Sequence, residues 1–177
     1  MSYVKKYPLL SPLEIIERHD ELPPNSVHLG GLAMGENPED AKIEFVKRGA
    51  FLSILSWGIM KLKSGPLYSC DQYDFPLKVL SWLPKALDEF QRPPADGGLH
   101  AGAMISQDQN VDGEMLAVGS TARGYNITNW SRDAQGIKAS PDFYRPVTFG
   151  MSYGMLNDRG LLRLWKELGD KYDAGEL

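Results

Sequence analysis

The sequence predicts an α+β fold: an antiparallel β-meander of three to four strands packed against about four helices, in a single domain spanning residues 1–177. Three observations predict it. Helix-start residues precede apolar stretches in the first half of the chain. From residue 99 onward, short apolar runs recur between turn residues. Near the end, apolar residues recur at the spacing of one helix face. Helices first, strands next and a helix last is a segregated order, not a βαβ repeat.

Ser11-Pro12-Leu13-Glu14 carries the signals of a helix start. Ser11 can cap, Pro12 suits the first helical position, and Glu14 can reach back to the cap. Leu10 and Ile15 can staple the entry, and "ELPPNS" ends the helix after His19. "VHLGGLAMG" then reads as a short buried strand. Asn37-Pro38-Glu39-Asp40 has acidic residues where a helix dipole favours them, which predicts a second helix over 38–63. Its second half is apolar nearly all round, as expected of a central buried helix. Gly65-Pro66 stops it. Asp74 and Pro76 open a third helix through Phe90, kinked or broken at Pro84. Residues 99–106, 114–121 and 125–132 are the strands of the meander, with a fourth around Val147–Tyr153. Asn157 or Asp158 caps the last helix. Leu161, Leu164, Trp165 and Leu168 form its apolar stripe, and Gly169 ends it before a frayed tail. No internal repeat is visible.

Hydrophobic residues make up 42% of the chain and charged residues 24%, an ordinary globular balance. There are 19 Lys and Arg against 23 Asp and Glu, a net charge of −4, which speaks against nucleic acid as a partner. Cys70 is the only cysteine, so neither an internal disulfide nor a multi-cysteine metal cluster can form. The N-terminus has no unbroken apolar core of a signal peptide. The longest apolar stretch, Gly49 to Met60, falls short of the roughly 20 residues that span a bilayer. The expectation is a soluble cytoplasmic protein with no membrane partner and no cofactor.

Several motifs invite chemistry and are answered by simpler readings. Asn126-Ile127-Thr128 and Asn129-Trp130-Ser131 are glycosylation triplets that read as strand residues in that compartment. Asp108, Asn110, Asp112 and Gly113 match the start of an EF-hand loop, but Gly119 stands where the bidentate acid belongs, so a polar hairpin turn is expected. His19, His28 and His100 have no metal-ligand spacing. Cys70 reads as a half-buried small residue. The glycine-rich stretches lack phosphate-loop spacing.

Two functions follow. The first is a non-catalytic protein-binding module, of the inhibitor or immunity type, that occludes another protein. Its anchors would be Asp108, Asp112, Glu114, Tyr125 and Trp130, the acids suiting a basic partner. The alternative is a small hydrolase or transferase with a site around His100, Asp112 and Arg132. A structural subunit of a larger assembly is a third possibility.

Overall fold

The computed structural model describes residues 3–134 and 143–177. Four strands, β1 (Ser26–Ala33), β2 (Ala41–Arg48), β3 (Phe51–Leu62) and β4 (Gly65–Pro76), form one antiparallel sheet in chain order, followed by helix α1 (Val79–Gln91). Strands β5 (Gln109–Val111), β6 (Glu114–Thr121), β7 (Gly124–Asp133) and β8 (Pro146–Ser152) form a second antiparallel sheet in chain order, followed by a single turn at Gly154–Asp158 and helix α2 (Leu161–Asp173). Four strands and a helix thus occur twice, a repeat of architecture that the residues do not display.

This corrects the expected fold. Among the described residues there are two four-stranded sheets rather than one meander, and two long helices rather than about four. The largest difference lies at residues 38–63, which form the β2–β3 hairpin instead of a helix. Arg48 pairs with Phe51 across a two-residue turn, and Gly49 supplies the positive φ of 64° that such a turn demands. The all-round apolar character has a different cause from the one expected. Ile43, Phe45, Leu52 and Ile54 face the main core, while Val46 and Leu55 on the opposite face pack with Ile16. A strand buried on both faces has no polar side, just as a central helix has none. Asn37 sets a turn, its Oδ1 accepting from the Glu39 amide at 3.3 Å.

The expected helix over residues 11–19 is an extended segment lying across the sheets. An isolated two-turn helix is marginal in water, and here the sheets offer its backbone better partners. The Leu10 amide donates to the Ser131 carbonyl at 2.9 Å and the Ile16 amide to Gln72 Oε1 at 2.8 Å. Gln72 Nε2 and Arg48 Nη1 both donate to the Glu14 carbonyl, at 3.3 and 2.8 Å. Of residues 99–106, expected as a strand, Ile105 alone makes a bridge, to Gly119. β6, β7, β8 and the start of α2 lie close to where the sequence placed them. The tail is not loose: α2 continues to Asp173, and Leu177 packs against the core.

One core joins the whole. Side chains from β2, β3 and β4, from β5 to β8 and from both helices belong to a single cluster. Gly169 does not end α2 but lies inside it, against α1: a Cβ there would come within 2.5 Å of the Leu80 carbonyl oxygen. That carbonyl is the one Pro84 cannot bond, since proline has no N–H to donate. Gly169→Ala should therefore force the helices apart and cost about 1–3 kcal/mol in urea unfolding. No helix among the described residues is long and apolar enough to cross a membrane.

Candidate functional site

The five expected anchors do not form one exposed patch. Glu114 is 1% exposed: its Oε1 accepts from Arg132 Nε and, at 2.9 Å, from Asn129 Nδ2. Trp130 is buried, edge-on to Tyr3 with centroids 6.4 Å apart and capped by the Lys6 ammonium at 4.1 Å. Asp108 accepts from the Tyr7 hydroxyl at 2.7 Å and lies 3.7 Å from Lys6. Asp112 is exposed and 3.8 Å from Lys78. Tyr125 is half-buried between Phe90 and Tyr153. All three acids already face cations of this chain, which removes much of the free negative field expected to steer a basic partner.

The alternative trio is not assembled. Arg132 is 4% exposed and directs its guanidinium to Glu114 and to the Ser11 carbonyl, while Asp112 meets Lys78. His100 is exposed in the loop before β5. The EF-hand-like residues make a hairpin: Asp112 and Gly113, with φ of 48° and 90°, form the two-residue turn between Val111 and Glu114. Asn129 is fully buried, its Nδ2 also donating to the Asp74 carbonyl at 3.1 Å, so it ties the two sheets together. Cys70 is half-buried against the smaller core cluster, and burial pushes its thiol pKa up, away from nucleophile chemistry.

Two features that the sequence did not disclose gather at one end of the first sheet. The first is a projecting hairpin. β2 stops pairing at Ala41↔Gly58, but β3 and β4 continue through Ile59↔Tyr68, Met60↔Leu67, Lys61↔Pro66 and Leu62↔Gly65. Alternation puts Met60 and Leu62 on one ribbon face with Leu67, and the three are 60%, 43% and 54% exposed.

The second is a cleft of about 510 Å³ at the base of that hairpin, lined in part by His19, His28, Lys42 and Glu44. A bulge between His28 and Gly30 shifts the register of β1 on β2. Bulges re-aim side chains, and this one sets His28 Nε2 on Glu44 Oε2. The carboxylate can only accept, so Nε2 carries the proton. Glu44 Oε1 faces Trp57 Nε1 at 3.4 Å. Gly31 leaves room for this carboxylate, because a Cβ there would lie 2.7 Å from Glu44 Oε2. His19 stacks on Trp57, with centroids 3.7 Å apart and planes 4° apart, and its Nδ1 lies 2.9 Å from the Tyr68 hydroxyl.

Burial is the first cause that pushes the Tyr68 phenol up to about 12. The folded state thus favours the neutral phenol more than the unfolded chain does. Its contribution is fully present below the ordinary value of 10.0 and is lost as pH rises towards about 12. Stability measured across that window should fall less steeply in Tyr68→Phe than in wild type.

Comparisons with family models, with curated proteins and with solved structures find no match for the chain.

Proposed function

We propose that the protein is a non-catalytic protein-binding module of the inhibitor type, engaging its partner through the projecting β3–β4 hairpin. The observation that carries this reading is the exposure of Met60, Leu62 and Leu67 on one face of a two-stranded ribbon beyond the edge of β2. A ribbon of two strands is marginal in water by itself, and adjacent exposed aliphatic side chains mark interaction sites. The ribbon also carries Lys63 and Lys61, the latter 3.3 Å from Asp40, and no acidic residue between Ile59 and Tyr68. A partner of mixed apolar and acidic character fits it better than the basic partner expected from the sequence.

The test is a pair of variants on purified protein. Met60→Ser with Leu67→Thr should leave the urea midpoint close to wild type, since both side chains already face water. The same pair should weaken a stoichiometric partner, cross-linked in native extract and then purified, by roughly thirtyfold or more, the effect of losing an anchor worth about 2 kcal/mol. A partner that binds the double variant as tightly as wild type sinks the hairpin reading.

The small hydrolase or transferase reading retains one favouring observation, moved to other residues. A histidine does meet an acid beside a cleft, but it is His28 with Glu44 rather than His100 with Asp112. An orienting carboxylate behind an imidazole is the arrangement of a general base. Turnover that is abolished in His28→Ala and untouched by the hairpin variants would replace the binding reading with this one.

A further inference from the structure

We infer that the His28–Glu44 cleft binds a small organic anion, a carboxylate or a phosphate monoester with an apolar body. This site is distinct from the hairpin face and requires no turnover.

The chemistry of the lining selects the ligand. Among the described residues Glu44 is the only carboxylate lining the cleft, and both of its oxygens are engaged, Oε2 by His28 and Oε1 by Trp57. Its capacity to accept from a ligand is therefore largely used. The donors are not. Lys42 lines the cleft and makes no ion pair among the described residues. The ring of His28, its Nε2 proton given to Glu44, and the ring of His19 wall the cleft without adding a carboxylate. An ammonium without an ion pair among the described residues, beside a carboxylate whose two oxygens are both engaged, favours negative charge in the ligand. A divalent metal is not favoured, because among the described residues no three His, Cys, Asp or Glu side chains are placed to hold one.

Leu32, Ala33 and Pro38 supply the remaining wall. They set an apolar surface beside the charged group, the usual composition of a small-molecule site, and about 510 Å³ lies within the range such sites occupy. The site is also held in shape. The bulge fixes where His28 starts, Gly31 admits Glu44, and the Trp57–His19 stack braces the far side. A ligand entering it would meet side chains already restrained, which lowers the entropy lost on binding.

The experiment is calorimetry on the full chain with three probes: phenyl phosphate, benzoate and the neutral analogue benzyl alcohol. Saturable binding of one or both anions is expected, and which of them binds tighter distinguishes a phosphate from a carboxylate ligand. Benzyl alcohol should bind at least tenfold more weakly. Lys42→Met should weaken the anion tenfold or more with an unchanged melting temperature, and Lys61→Met, outside the cleft, should change it less than twofold. Absence of saturable binding by both anions overturns the inference, as does equal binding of benzyl alcohol or an unaltered affinity in Lys42→Met. None of these results bears on Met60 and Leu67, so the hairpin reading stands or falls separately.

Discussion

Trp165→Ala should destabilise the protein by about 3–5 kcal/mol, the cost of emptying a large aromatic site in a packed core. Trp165 is fully buried on α2 and reaches three other elements. Its ring stands edge-on to Phe45 of β2 with centroids 5.1 Å apart and lies 6.4 Å from Phe149 of β8. Its Nε1 donates to the Val79 carbonyl at the start of α1, at 3.1 Å. Alanine removes contacts to both sheets at once and takes away the side-chain donor to that carbonyl. Against a total of about 5–15 kcal/mol, the loss is a large share of folding stability. Trp165→Phe, which keeps a ring but not the N–H, should cost distinctly less. Urea unfolding followed by circular dichroism measures both. A Trp165→Ala protein that unfolds at the wild-type midpoint would mean that the two sheets do not share this core.

The second large effect is electrostatic. Arg132→Ala should cost about 3–5 kcal/mol, because it strands the buried Glu114 carboxylate without its cation. Glu114 has little in reserve: among the described residues its Oε2 has no hydrogen-bond partner, and Oε1 keeps only Asn129 once the guanidinium is gone. The charge, not the lost volume, should dominate. Adding Glu114→Gln to Arg132→Met removes both charges and preserves an acceptor for Asn129, so the double variant should recover most of the loss. Arg132 also holds the Ser11 carbonyl at 3.2 Å. Either single change should make the first ten or so residues more open to limited proteolysis. If the double variant is no more stable than Arg132→Ala, the pair matters through its shape rather than its charge.

Where one strand face met water or a turn was chemically marked, the sequence was readable. β6 and β7 are bounded by Asp112-Gly113 and by the turn before Gly124, and α2 shows its stripe from Leu161 to Leu168. The reading failed where tertiary structure removed the contrast. In β2 and β3 the extended N-terminal segment covers the face that would otherwise be polar, so a hairpin and a buried helix look alike; Gly49 and Ser64-Gly65 were the local signals of turns. The capping residues at 11–14 were real as local preferences but were outcompeted by Gln72, Arg48 and Ser131. Choosing Glu114 and Trp130 as surface anchors required knowing which face of β6 and β7 looked inward, and their mixed composition did not say. The cleft was beyond reach for a related reason. His28 and Glu44 meet only through the pairing of β1 with β2 and the bulge within it, and a stretch read as strand followed by helix brings no such pair together.

The segment before β1 lies over strands made far later in the chain. Tyr7 meets Asp108, Ser11 meets Arg132, and the Tyr3 amide donates to the Tyr144 carbonyl. During synthesis this segment leaves the ribosome long before the partners that follow it in the chain. The first sheet can pair as neighbouring strands appear, but its outer face, with Val46 and Leu55, must wait for Ile16 to settle. Contacts of such sequence separation slow folding, because a long loop must close before they form. The segment before β1 is therefore made before the strands it covers and is seated after them, and until then Trp57 and Trp130 lack the cover of His19, Tyr3 and Lys6.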